Sequence, residues 1–157
     1  MKYKDIMSYV VIILAVVLIR TFVFTVIRVN QESMYNTLKE GDLMILKKYD
    51  KNYDRFDIVV VNDNGKKIIK RIIGLPKETI EYKDSILYIN EEVMEDAYSK
   101  SETKDFKGYC AEDEYFVMGD NRLVSKDSRI IGCIEKKDIV GKASFRFFPF
   151  SAFGIVD

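Results

Sequence analysis

The sequence predicts a mainly β fold, a partly closed barrel or sandwich, preceded by one N-terminal transmembrane helix. Two observations lead to this fold class: a long apolar stretch near the N-terminus, and a series of short segments beyond it in which apolar and polar residues alternate. With 157 residues, 48% of them hydrophobic, the chain is long enough for one domain with a real core. A net charge of zero gives no indication of a nucleic-acid partner.

The apolar stretch covers residues 6–24 and is interrupted only by Ser8, Arg20 and Thr21. A helix that spans a bilayer needs about 20 such residues. A buried core helix would show a polar face at helical spacing, which this stretch lacks. A cleavable signal peptide is the other alternative, but no Ala-x-Ala-like site follows. We therefore expect an uncleaved anchor over residues 6–24 after a short N-terminus of residues 1–5, in an orientation that the flanking charges are too few to decide.

The remaining residues, 25–157, are expected to form one β domain. Short segments rich in Val, Ile, Tyr and Phe predict strands. These strands cover residues 22–30, 42–48, 57–61, 67–73, 79–82, 86–89, 115–118, 130–134 and 139–148. Turns at 62–65 and 83–85 predict hairpins. Residues 91–113 are charged and weakly periodic, and we expect them to form a polar surface excursion or small cap.

Ser33 is the candidate nucleophile, and the composition restricts its base. The chain has no histidine, which excludes a Ser-His arrangement and leaves lysine. In the strand at 67–73, alternation places Lys70 on one face with Ile68 and Ile72. Such neighbours lower the pKa of an amine, and a change from roughly 10.4 to about 8 costs about 3 kcal/mol. An exposed amine is the alternative, and it is the usual state of a lysine.

The two cysteines, Cys110 and Cys133, fit no metal-ligand spacing, and no metal or cofactor is expected. They could form a disulfide in a domain outside the cytoplasm, or remain as two partly buried thiols.

Three motifs, taken together, resemble those of the type I signal peptidases, the membrane-anchored Ser/Lys proteases. In chain order they are Ser33-Met34-x-x-Thr37-Leu38-x-x-Gly41-Asp42, Lys70-Arg71-Ile72-Ile73-Gly74-Leu75-Pro76 and Gly119-Asp120-Asn121-Arg122-x-x-Ser125-x-Asp127-Ser128-Arg129. The small size and single anchor are similar to the Gram-positive form of that family.

The resemblance implies a membrane-bound serine endopeptidase that removes signal peptides from exported preproteins at Ala-x-Ala-type sites. It implies Ser33 as nucleophile and Lys70 as general base, with Ser125 directing the lysine nitrogen. Supporting roles fall to Asp127, Arg129 and Arg71, since Asp127 would form an ion pair with one of the two arginines. The backbone N–H of Ser33 would hold the oxyanion, either alone or with a second donor from the side chain of Gln31, a residue that departs from the family pattern. Substrate pockets would be lined near Val29, Met34, Ile68 and Ile69.

The resemblance also implies a location and partners. The protein would cross the cell membrane once, with its N-terminus in the cytoplasm, and would contact the lipid bilayer and preprotein signal peptides. Gln31, Glu32 and Asn36 depart from the family pattern beside the nucleophile, and so do Lys77 and Glu78 farther on. These departures suggest specialised substrates, such as surface or pilin-type proteins.

Two other hypotheses remain from the sequence. One is a catalytically silent relative that acts as an assembly factor or chaperone for pilin-type surface proteins. The other is a self-cleaving Ser/Lys protein of the LexA-like kind, which the anchor and the absence of a DNA-binding helix pair disfavour.

Overall fold

The computed structural model describes residues 3–99 and 101–156. Helix α1 (Tyr3–Leu18) opens the chain and continues as a π-helical segment, Ile19–Val23. One helical stretch in the described chain, Asp5–Val23, is long and apolar enough to cross a membrane by length and composition. None of this stretch is buried against the rest of the protein, so its apolar side chains pack on nothing else in the fold.

Within the described residues, twelve strands follow α1. In chain order they are β1 (Phe24–Arg28), β2 (Leu43–Lys47), β3 (Ile58–Asp63), β4 (Lys66–Gly74), β5 (Thr79–Lys83), β6 (Ile86–Ile89), β7 (Glu92–Met94), β8 (Phe106–Tyr109), β9 (Glu114–Met118), β10 (Ile134–Glu135), β11 (Ile139–Phe148) and β12 (Gly154–Ile155). The larger sheet has the order β1-β2-β11-β3-β4-β9-β10, with β12 paired to β11. The smaller sheet has the order β7-β6-β5-β8.

The predicted fold class is confirmed: the protein is mainly β and begins with an apolar helix. Neither sheet closes into a barrel. The segment 91–113 contains β7 and β8, two strands that the alternation pattern did not reveal because charged residues surround them. Both strands belong to the smaller sheet, which lies in the chain between β4 and β9.

The strand predicted over 130–134 is wrong in most of its length. Residues Ser128–Ile131 form a short helix, α2, and only Ile134–Glu135 is a strand. Asp127 caps the helix by accepting a hydrogen bond from the backbone N–H of Arg129. Gly132 follows with a φ of 79° and ends the helix. These two end signals outweighed the β propensity of the isoleucines.

The position of β4 decides the environment of Lys70. In the larger sheet β4 lies between β3 and β9: β3 pairs with Lys66–Arg71, and β9 pairs only with the end of the strand, Arg71–Gly74. Val59 of β3 stands opposite Lys70, and Val61 stands opposite Ile68. Side chains on both faces of β4 are buried from Lys70 to the end of the strand. The centre of β4 is therefore a dry site for any amine placed there.

Cys110 and Cys133 form a disulfide. The bond joins the residue after β8 to the segment between α2 and β10. Of the two states that the sequence left open, the structure has the bridged one.

Candidate active site

Ser33 lies in a one-turn 3-10 helix, Glu32–Met34, that follows β1. The loop that carries it is closed at its base, where Val29 and Asp42 are hydrogen bonded through their backbones at 2.9 Å. Gly41 also donates to the Val29 carbonyl at 2.8 Å, with a φ of +93° that favours glycine. The backbone of Asn121 donates to the Ser33 carbonyl at 3.0 Å. The nucleophile segment is thus held from both ends and by the loop that begins at Gly119.

The Lys70 amine reaches the Ser33 hydroxyl. Lys70 Nζ lies 2.7 Å from Ser33 Oγ and 3.1 Å from the carbonyl oxygen of Ile69. The lysine is only 1% exposed. Burial lowers its pKa to about 8, although the charges of Asp127 and Asp120 act in the opposite direction. A lysine with this pKa is partly neutral near neutral pH and can accept a proton.

Asp127 anchors the loop that faces the lysine. Its carboxylate accepts hydrogen bonds from the Gly119 backbone at 3.1 Å and from Arg129 Nε and Nη2 at 2.8 and 2.9 Å. Burial acts to raise the pKa of Asp127, but the hydrogen bonds and charge of Arg129 hold it below its usual value. Of the two arginines considered from the sequence, Arg129 is the one that forms this ion pair.

Arg71 instead forms a buried ion pair with Asp120. Its Nε and Nη2 donate to the two carboxylate oxygens of Asp120 at 2.9 and 2.8 Å, and both side chains are 0% exposed. The guanidinium also lies over the ring of Tyr98, 3.6 Å from its centre. This pair was not predicted from the sequence. The available signal was Arg71 itself, because an arginine in a buried strand requires a carboxylate.

Ser125 is buried beside these groups, with 6% of its surface exposed. Its hydroxyl has no hydrogen bond of good geometry to a described residue, so the contact with Lys70 implied by the family resemblance is not made here. The hydroxyl still lies close enough to Asp127 to help keep the pKa of that carboxyl low. A Cβ on Gly119 would collide with the Ser125 side chain and with the Ser33 carbonyl. Only glycine allows this approach of the loop to the nucleophile.

Two neighbouring cavities open at Ser33. The first, of ≈ 390 Å³, is lined by Ile68 and Lys70 among others, and the second, of ≈ 270 Å³, by Val29, Met34 and Ile69 among others. Gln31 and Ser33 line both. The four residues proposed as pocket residues are therefore all found around the nucleophile.

Among the described residues, no group of three or more His, Cys, Asp or Glu side chains is placed to hold a metal ion. The chemistry available to this site is that of a serine hydroxyl, a buried amine and backbone donors.

A β fold, an N-terminal apolar helix and a buried serine–lysine contact are the features that the type I signal peptidase resemblance predicted. A family model described as "Signal peptidase, peptidase S26" matches residues 3–148, and the chain belongs to this family. The resemblance noted from the sequence is confirmed.

Individual relatives agree with the family assignment. The chain is 39% identical to signal peptidase I S of Bacillus subtilis, over 96% of this chain and 93% of that protein. It is 33% identical to a signal peptidase I of Streptococcus pneumoniae, over 93% of each. The crystal structure of a signal peptidase I from Enterococcus faecalis is similar with a TM-score of 0.54 and 38% identity, covering 58% of this chain and 96% of that one. The family and the apolar helix together indicate a membrane-anchored peptidase that acts on signal peptides.

Proposed function

We propose that this protein is a serine endopeptidase that removes N-terminal signal peptides with a Ser33/Lys70 dyad. The observation that carries the proposal is the 2.7 Å approach of Lys70 Nζ to Ser33 Oγ inside a site that burial keeps dry. A serine is a weak nucleophile until a neighbouring base takes its proton. No histidine exists in the chain, and the lysine is the base in contact with the hydroxyl.

The reaction begins with neutral Lys70. Its amine accepts the Ser33 proton while the serine oxygen attacks the scissile carbonyl. The resulting ammonium then gives a proton to the leaving amine, which becomes the new N-terminus of the mature protein. Water, deprotonated by the same lysine, attacks the acyl-enzyme and releases the signal peptide. Asp127 and Arg129 keep the loop of residues 119–129 against the dyad.

The charge on the tetrahedral intermediate requires donors at Ser33. The backbone N–H of Ser33 belongs to the first turn of a short helix, where amides have no intrahelical acceptor. The amide side chain of Gln31, which lines both cavities, supplies a second donor. Small substrate side chains at the first and third positions before the cut occupy the apolar parts of the cavities, near Met34, Ile68 and Ile69.

The proposed location is the cell membrane, crossed once by α1, with the N-terminus in the cytoplasm and the β domain outside. The exposed apolar surface of α1 needs a lipid environment. The Cys110–Cys133 bond supports an oxidising compartment for the domain, because disulfides are rare in the cytosol.

The substrates include exported preproteins with Ala-x-Ala-type sites, and we extend the proposal to a specialised set such as pilin-type surface proteins. The basis is the set of departures from the family pattern beside the nucleophile, of which Gln31 lines both cavities. A silent assembly factor is the second candidate. The close contact of Ser33 and Lys70 favours catalysis over that candidate, since a binding protein does not need to bury a lysine against a serine.

The test uses the full-length protein in detergent and a preprotein with an Ala-x-Ala site. The parent, Ser33→Ala and Lys70→Met are compared by mass spectrometry of the products, with Ser151→Ala and Lys83→Met as controls at exposed positions. We expect cleavage after the second alanine by the parent and both controls, and at least 1,000-fold slower cleavage by the two dyad variants, on the order seen when a catalytic nucleophile or base is lost. Normal cleavage by either dyad variant would refute the dyad. No cleavage of secreted or pilin-type precursors by the parent would support the silent assembly factor.

A further inference from the structure

We propose that the second cavity at Ser33 is a specificity site for an acidic substrate residue, a carboxylate about five positions before the cut. The inference rests on the proposed function, because it assigns a substrate feature to the same cleft.

The charges around the two cavities differ. The ionisable residues that line the second cavity are Arg28, Lys66 and Lys67, and all three are basic. The first cavity also receives Lys66, but it includes the carboxylates of Glu32 and Asp63. The second cavity is therefore the positive part of the cleft.

The three cations are available to a ligand. Arg28, Lys66 and Lys67 are exposed, and none of them forms an ion pair with another described residue. Lys126, which lines the first cavity, is already paired with Asp63 at 3.1 Å. The positive charge of Lys66 is felt at the dyad, where it contributes to lowering the pKa of Lys70. A carboxylate bound at this point would meet three positive charges, of which Lys66 also interacts with Asp63 across the β3–β4 hairpin.

The register of β4 gives the position of that carboxylate. Lys66, Ile68 and Lys70 alternate along one face of the strand, and at about 3.3 Å per residue Lys66 lies roughly 13 Å from Lys70. A substrate bound in extended form advances by the same distance per residue. Ile68 and Ile69 lie between Lys66 and Lys70 in the strand. They are the residues proposed to contact the first and third residues before the cut. In a substrate that runs along β4 from Lys70 towards Lys66, the fourth to sixth residues before the cut lie beside Lys66, which lines both cavities, and beside its neighbour Lys67, which lines the second.

An acidic peptide segment fits this cavity better than an anionic lipid headgroup. The cavity is continuous with the nucleophile through Gln31 and Ser33, so its occupant is part of the chain being cut.

The experiment uses competition between two preproteins in one reaction, with the full-length enzyme in a neutral detergent. The substrates share an Ala-x-Ala site and differ only at the fifth residue before the cut, which is Glu in one and Lys in the other. A third preprotein, with Gln at this position, serves as the uncharged reference substrate. Competition gives the ratio of kcat/KM values, which does not depend on how much of a variant is correctly folded. The enzymes are the parent, the double variant Lys66→Glu/Lys67→Glu, and the control Lys83→Glu in the smaller sheet.

We expect the parent and Lys83→Glu to prefer the Glu substrate over the Lys substrate by about 5-fold at low salt, as a few exposed charge pairs produce. The double variant should prefer the Lys substrate, and added salt should reduce both preferences. Equal rates for the Glu and Lys substrates, or a preference that the double variant leaves unchanged, would overturn the inference. In that case cleavage of the Gln substrate by the parent would leave the proposed function intact. If the parent cuts none of the three substrates, the proposed function and the inference both fail.

Discussion

Lys70 is an amine placed where water hardly reaches it, and this placement has a thermodynamic consequence. Its pKa is lowered to about 8 in the folded protein, whereas an unfolded lysine has a pKa of about 10.4. Between these two values the unfolded chain binds more protons than the folded one, so the stability of the protein rises with pH through this window. Below about pH 8 the folded state carries the full cost, about 3 kcal/mol. Burial therefore brings the pKa of Lys70 into a range useful for proton transfer, and it lowers the stability of the folded protein.

Replacing the lysine should therefore stabilise the protein at pH 7. For Lys70→Met we expect the free energy of unfolding to increase by about 2 kcal/mol. Removing the buried ammonium stabilises the fold by about 3 kcal/mol, and losing its hydrogen bond with Ser33 costs about 1 kcal/mol. The gain should disappear by about pH 10.4. Urea denaturation at pH 7 and pH 10.4 measures it, with Lys83→Met as the exposed control. A variant less stable than the parent at pH 7 would show that the amine is not disfavoured by burial.

At the residue scale, the missing histidine left lysine as the base, and strand alternation offered Lys70 as a candidate with an exposed amine as the alternative. The resemblance to the signal peptidases was needed to predict Ser33 and Lys70 as a pair. The ion pair of Arg71 with Asp120 was not visible, because it joins residues 49 positions apart. The absence of a Ser125–Lys70 hydrogen bond depends on side-chain placement, which no sequence spacing fixes.

At the scale of elements, the active site is assembled by the loop of residues 119–129 packed against β4. The Arg71–Asp120 pair attaches the start of the loop to β4, and the Asp127–Arg129 pair holds its end. Removing one member of a fully buried pair leaves the other charged and without compensation.

Asp120→Ala should therefore destabilise the protein strongly. We expect a loss of about 3–5 kcal/mol in the free energy of unfolding, because the Arg71 guanidinium would remain buried without its carboxylate. Chemical denaturation of the parent and the variant measures the loss. Glu135→Ala, which removes a surface ion pair with Lys137, is the matched control and should change stability little. Equal effects of the two substitutions would contradict the importance of the buried pair.

The disulfide gives a second prediction for the elements around the site. Cys110 and Cys133 are 23 residues apart, and closing a loop of this length stabilises a fold by about 3 kcal/mol in the chain-entropy model. A reductant should lower the free energy of unfolding of the parent by about this amount. It should have no effect on the Cys110→Ser/Cys133→Ser variant. Two reactive thiols in the unreduced, denatured parent would show that the bond is absent.

Element boundaries were predictable where a periodic pattern and a turn signal coincided, as in the β3–β4 hairpin. They were not predictable at α2, where a capping aspartate and a terminal glycine overrode the strand propensity of Ile130 and Ile131. Strands β7 and β8 were not predicted because they are short and lie within a charged segment. In both cases tertiary pairing and local end signals decided the structure.

At the scale of the whole molecule, an apolar helix that is not buried against the rest of the protein precedes a β domain that carries the cleft and a disulfide. The sequence predicted an N-terminal apolar helix and a mainly β fold because a long apolar stretch and a repeated β periodicity can both be read without knowing which strands pair. It did not predict the two open sheets, since their order results from pairing between distant strands.

The proposed topology can be tested on intact cells. A protease added outside should digest the β domain, whereas a tag fused to the N-terminus should stay protected until the membrane is opened. A cytoplasmic protein serves as the control for cell integrity. Digestion of the domain only in inverted vesicles would place it on the cytoplasmic side and refute the topology.

The central claim is that neutral Lys70 activates Ser33, and the pH dependence of kcat/KM tests it most directly. The measurement follows cleavage of an Ala-x-Ala preprotein by the full-length enzyme from pH 6 to pH 10. Because the lysine must lose its proton to act, and its pKa is about 8, the rate should rise about tenfold per pH unit below that value and level off above it. A rate that is constant from pH 6 to pH 10 would contradict the account.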